Sequence, residues 1–97
     1  MFAIIFDRAT DEELTRAHEI IKARANGWWH HFANIWIVGG GLSAAAWRDA
    51  VGEAIRQGPS SSVLVLPLPA EPVLWAYFGA DAKDRSEWLH KHLSPPR

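Results

Sequence analysis

Trp28-Trp29-His30-His31-Phe32-Ala33-Asn34-Ile35-Trp36-Ile37-Val38 is the stretch on which the fold turns. It is rich in aromatic and β-branched residues, the types that fit a pleated, half-buried surface. As a single strand its eleven residues would reach ~36 Å at ~3.3 Å each. A compact domain of this length has a radius of gyration of about 12.5 Å, hence a diameter of roughly 32 Å. One straight strand fits badly. A hairpin fits better, with Trp28 to Phe32 running out, Ala33-Asn34 turning, and Ile35 to Val38 returning. Asn34 alone supplies turn chemistry.

Working outward to the N-terminal side, Phe2-Ala3-Ile4-Ile5-Phe6 is short and apolar and ends at Asp7-Arg8. Such a run is a strand with both faces buried. Thr10-Asp11-Glu12-Glu13 is a Thr-x-x-Glu capping box that opens a helix. Leu14, Ala17, His18, Ile21 and Ala25 form its apolar stripe, and Glu12 with Arg16 makes an i,i+4 pair in the favourable order. Asn26-Gly27 is expected to end it, with Gly27 in a left-handed cap.

On the C-terminal side, Gly39-Gly40-Gly41 breaks the hairpin and Ser43 caps a second helix. Trp47, Val51, Ala54 and Ile55 make its buried stripe, and Arg48, Asp49, Glu53 and Arg56 face water. Gly58-Pro59 stops it. Val63 to Leu66 is another strand. Pro67, Pro69 and Pro72 predict an extended connector that cannot lie inside a sheet. Val73 to Phe78 is expected as a last, edge strand. Asp84-Arg85-Ser86-Glu87 resembles a further capping box, opening a short helix through Trp88, Leu89 and Leu93 that Ser94-Pro95-Pro96 ends.

The resulting order is β-α-β-β-α-β with a β-α appendix. That is an α+β, ferredoxin-like βαββαβ unit with an antiparallel sheet plus a C-terminal strand and helix. Residues 1–97 are treated as one domain, without repeats or an internal linker. In this fold the helices cover one sheet face. The first, third and fourth strands are nonetheless apolar at successive positions, so both faces want burial. A homodimer packed sheet against sheet is the simplest cover.

Composition limits the chemistry. Hydrophobic residues make up 48% and charged residues 22%, which is globular composition. Ten Lys plus Arg against eleven Asp plus Glu give a net charge of −1, with no global field to steer phosphate. There is no Cys, so disulfides, thiolate nucleophiles and Cys-based zinc sites are excluded. No apolar run approaches the ~18 residues needed to span a bilayer, and the N-terminal run meets Asp7 without a basic leader. A cytoplasmic protein without a membrane partner is the expectation.

The histidines have no metal-ligand spacing. His30 and His31 are adjacent in a strand and face opposite ways, and His90 and His92 lie about 200° apart around a helix. His18, on an apolar stripe, reads as a satisfied core or interface residue. Gly39-Gly40-Gly41-Leu42-Ser43 lacks the GxxxxGK[ST] pattern and reads as a turn, not a phosphate loop. Trp28, Trp29 and Trp36 lack the interleaved Arg or Lys of a base-stacking platform, so they are assigned to core and interface packing. Arg8, Arg16, Lys22 and Arg24 are diluted by Glu12, Glu13 and Glu19.

Asp7, Gly27-Trp28-Trp29-His30, Trp36-Ile37-Val38, Leu42-Ser43-Ala44 and Trp88-Leu89 with Leu93 follow one another in an order that resembles the small SinR-like proteins. These are distant relatives of the CRISPR-associated protein two and VapD group. The resemblance runs over nearly the whole chain. It implies a ferredoxin-like homodimer, in some members a metal-dependent nuclease and in others a holder of nucleic acid. It also implies an Asp at the end of the first strand, here Asp7, as catalytic and metal-binding residue. The nuclease members usually carry Tyr before that Asp, where this chain has Phe6.

One Asp per chain can hold a hard cation such as Mg²⁺ or Mn²⁺ only where a twofold axis brings two together. Such a cation activates water and neutralises developing phosphate charge. The favoured function is therefore a non-catalytic interaction or nucleic-acid-associated module, a homodimer whose further partner is RNA, DNA or another protein. The alternative is a metal-dependent endonuclease using Asp7 from both protomers.

Overall fold

The computed structural model of the chain describes residues 1–56, 60–69 and 75–93. They fall into two compact units, Met1–Pro67 and Leu68–Arg97.

The first unit runs β1 (Phe2–Asp7), α1 (Asp11–Arg24), β2 (Gly27–Phe32), β3 (Ile35–Gly39), α2 (Ala44–Ile55) and β4 (Ser62–Pro67). The four strands form one sheet in the order β2-β3-β1-β4, and every neighbouring pair is antiparallel. This is the ferredoxin-like α+β topology expected from the sequence. The hairpin is confirmed, with Ala33-Asn34 as its turn. The turn is held from outside. Phe6 N–H donates to the Asn34 carbonyl at 2.8 Å, and Asn34 Nδ2 donates to the Phe6 carbonyl at 3.1 Å.

Strand alternation sorts the side chains. Ile4, Phe6, Trp36 and Val38 join Ala17, Ile21, Trp47, Val51, Ala54 and Ile55 of the two helices in one core, with Phe2, Val63 and Val65 packed against it. The intervening residues face away from that core. In register, Trp29, Ile37, Ala3 and Leu66 form one row across the sheet, and Ile35, Ile5 and Leu64 the next. These two rows are apolar, as the sequence predicts. On it Leu64 and Leu66 are 54% and 44% exposed.

Both helix starts follow the sequence. Thr10 and Glu13 form the reciprocal capping box, and Ser43 Oγ accepts from the Ala46 N–H at 3.1 Å. The end of α1 does not. Ala25 is the C-cap, in extended conformation at φ −81° and ψ 147°. Asn26 N–H is taken by the Gly39 carbonyl at 3.1 Å, which draws the chain straight into β2 and leaves Gly27 as its first residue. A Cβ at Gly39 would lie 2.8 Å from Asn26 Oδ1, so a larger residue there would displace the Asn26 side chain. Pro67 is likewise inside the sheet, as the last residue of β4 opposite Phe2. It is tolerated because β4 is an edge strand and its outer side needs no donor.

The second unit holds α3 (Ala82–His92). It begins two residues before the expected capping box at Asp84. Asp81 is its N-cap, with φ 53° and no side-chain cap bond. Arg85 guanidinium donates to Tyr77 Oη at 3.0 Å, and Tyr77 O–H donates to the Ala80 carbonyl at 2.9 Å. These bonds set the approach to α3 instead. Residues 75–78 carry no strand pairing, so that part of the expected last strand is absent. Val73, Leu74, Gly58-Pro59 and Ser94-Pro95-Pro96 lie outside the described residues. No helix among the described residues is long and apolar enough to cross a membrane.

Candidate functional site

Asp7 closes β1 opposite Ser62, the first residue of β4. Alternation from the core residues Ile4 and Phe6 places it on the second sheet face, with Ala3 and Ile5. Its side chain is exposed, and its carboxylate lies 3.9 Å from the Arg8 guanidinium. A solvated pair of that length contributes little. Arg8 adopts φ 59°, a left-handed conformation that costs any L residue with a Cβ energy. The strand therefore stops abruptly at Asp7, leaving the carboxylate at a corner of the sheet. Among the described residues no group of three or more His, Asp or Glu converges as a metal site.

The histidines separate as the strand geometry requires. His31 lies against Trp29, ring centroids 5.2 Å apart, and His30 lies on the helix face against Trp36. A register shift between Trp29 and Phe32 then carries Phe32 back beside Trp29, at 5.1 Å. In the second unit His90 sits against Trp75 and His92 against Trp88, so that pair does not share a partner.

One cluster was not foreseen as a cluster. Trp36 is fully buried, and its indole N–H donates to His18 Nδ1 at 3.0 Å. His30 stacks on the same indole, at 3.8 Å and 5° between planes. Its Nδ1 lies 3.1 Å from the Ile35 carbonyl. A carbonyl only accepts, so that nitrogen carries the proton. His18 Nδ1 accepts, so its proton sits on Nε2 and the ring is neutral. The two imidazoles stand 5.4 Å apart, and Trp28 meets His18 edge-on at 6.0 Å. Burial holds the His18 pKa below its ordinary 6.5, the neighbouring His30 and Lys22 lower it further, and Glu19 opposes them. The sequence placed His18 on the inner stripe of α1. Its meeting with His30 depends on where β2 lies beside α1, which residue spacing does not encode.

Of the tryptophans assigned to packing, Trp36 and Trp47 are core residues and Trp29 is buried on the other face. Trp28 lies outside the core, 37% exposed on β2. Arg16 and Lys22 of α1 are occupied. Arg16 pairs with Glu12 at 3.2 Å and donates to the Ala54 carbonyl at 3.0 Å, closing the end of α2. Lys22 pairs with Glu19 at 3.3 Å. In the glycine turn, Gly40 adopts φ 144°, so its glycine serves backbone conformation.

The chain matches no family model, no curated protein and no solved structure.

Proposed function

We propose that this chain is a small cytoplasmic homodimer, with the second sheet face of one copy packed on that of the other, acting as a non-catalytic interaction or nucleic-acid-associated module. The observation that carries this is the placement of Leu64 and Leu66. Both are largely exposed, and they continue the apolar rows formed by Ala3, Ile5, Ile35 and Ile37. Contiguous apolar surface of this kind is costly in water and is the usual mark of an interface. A twofold partner supplies the same rows in return, so that both are buried at once.

Asp7 favours a second reading. It shares that face, at the corner where β1 ends. A twofold axis across the face could bring two such carboxylates together around one Mg²⁺ or Mn²⁺, giving metal-dependent phosphodiester hydrolysis.

Light scattering on the eluting protein tests the dimer. The expected mass is twice 10.9 kDa, falling to one copy in Leu64→Glu with the far-ultraviolet dichroism unchanged. A monomeric wild type removes the proposal. For the module, titration with single- and double-stranded RNA and DNA is expected to show binding without cleavage in Mg²⁺ or Mn²⁺. Cleavage that Asp7→Ala abolishes would instead establish the nuclease, and equal cleavage by both proteins, or none by either, excludes it.

A further inference from the structure

The geometry points to a proton-operated latch in which His18 of α1 holds the Trp36 indole N–H of β3 and lets it go when His18 takes up a proton. The device stands apart from the dimer and from Asp7. It rests first on donor and acceptor roles. The bond from Trp36 to His18 at 3.0 Å exists only while His18 Nδ1 is bare. An imidazolium carries N–H at both nitrogens, and would set a donor against the donor of a fully buried indole.

His18 is half-buried, and most of the groups packed around it disfavour its protonated form. On α1 its charged neighbours are Lys22, of like sign, and Glu19, whose carboxylate is held by Lys22 at 3.3 Å. From β2 it faces His30, 5.4 Å away, and the edge of Trp28. From β3 it faces Trp36, whose one polar atom is the donor already named. His30 is fixed in turn, stacked on Trp36 and bonded to Ile35. The rings of Trp28, His30 and Trp36 therefore meet at His18. Trp36 itself belongs to the core of Ile4, Phe6, Val38, Val51 and Ile55. Acid should loosen the contact of α1 with Trp36 while the remainder of that core stays closed, and Trp28, already partly exposed, should lose its edge contact with His18.

Indole ¹H–¹⁵N spectra of the full chain, in which six Trp give six signals, test this between pH 7.5 and 5. Expected is a single titration of the Trp36 signal below pH 6.5, with a loss of its protection from solvent exchange over the same range. Trp47, in the core, should keep its protection over the same range. His18→Gln, whose amide oxygen accepts from Trp36 but does not titrate, should hold the Trp36 signal constant. A Trp36 signal that ignores pH in the wild type overturns the latch. So does the same titration in His18→Gln, or joint loss of Trp36, Trp47 and the far-ultraviolet dichroism at one midpoint. The wild-type comparison of Trp36 with Trp47 decides the matter even where the variant fails to fold.

Discussion

Ser61 O–H donates to the Glu13 carboxylate at 2.8 Å, across 48 residues of sequence. The same carboxylate closes the capping box, accepting from Thr10 N–H at 2.9 Å. One buried acid thus fixes the start of α1 and ties it to the chain entering β4. Each of these bonds favours the ionised form.

Acid should undo this tie. The Glu13 pKa lies below its ordinary 4.5, chiefly through the Thr10 backbone N–H and then the Ser61 hydroxyl. A carboxylate with a depressed folded pKa contributes stability that is complete above its unfolded value and is lost as pH falls through the folded one. Urea midpoints measured from pH 6 to pH 3 should therefore fall more steeply for the wild type than for Glu13→Gln. Parallel curves would show that Glu13 is not a source of the acid sensitivity. Thr10→Ala, which removes the cap oxygen but not the acid, should cost about 1 kcal/mol at neutral pH.

His18 should add an earlier phase of the same sign. Its folded pKa is below 6.5, mainly through burial, so the unfolded chain binds the proton first. The stability it lends is complete above pH 6.5 and declines as pH drops below that value. Urea midpoints should begin to fall between pH 7 and 5.5 in the wild type, before the Glu13 phase. His18→Gln should be flat there while keeping the later decline. An early decline of equal size in both proteins would assign it to another group.

Thr10, Glu13 and Ser43 were legible because capping is local: the groups that satisfy the helix ends lie within three residues. The stripe Trp47, Val51, Ala54 and Ile55 was legible because one helix face meets one sheet. The hairpin was legible only by length, since its turn is fastened by Phe6, 28 residues away. The same kind of distant bond explains the misread ends. Asn26 is captured by Gly39, which displaces the expected glycine cap, and Tyr77 with Arg85 sets the lead into α3. For the site, the position of Asp7 followed from the end of an apolar run, and its face from period-two alternation. The His18–Trp36–His30 contact could not be read, because it joins three elements whose relative placement only the packed core decides.

Two buried tryptophans should respond differently to the loss of an indole nitrogen. Trp36 donates to His18, whereas Trp47 Nε1 is buried with no hydrogen-bond partner. Replacing either by Phe removes similar apolar volume. Trp36→Phe also discards a made bond, worth about 1 kcal/mol, and Trp47→Phe removes an unsatisfied donor that itself costs about 1–3 kcal/mol to bury. Chemical denaturation at pH 7.5 should therefore find Trp36→Phe the less stable variant by about 1 kcal/mol or more. Equal losses, or a greater loss for Trp47→Phe, would contradict the assignment of these two nitrogens.

Arg8 and Gly40 occupy the same half of backbone space with opposite fitness. Arg8 has φ 59° and Gly40 has φ 144°. For an L side chain the left-handed conformation at Arg8 costs about 1–2 kcal/mol, and the long solvated contact with Asp7 returns little of it. Glycine adopts that conformation freely, at an entropic cost of about 0.5–1 kcal/mol in the unfolded chain. Arg8→Gly should thus leave stability unchanged or raise it by up to about 1 kcal/mol. At Gly40 an added Cβ would meet nothing closer than the Arg24 carbonyl at 3.5 Å, so space is not the obstacle. The dihedral is, and Gly40→Ala should cost about 1–3 kcal/mol. Urea denaturation of the two variants beside the wild type checks both signs. A destabilised Arg8→Gly would mean that its side chain holds the Asp7 corner by contacts stronger than the solvated pair, and an unaffected Gly40→Ala would mean that the turn after β3 can relax to a negative φ without loss.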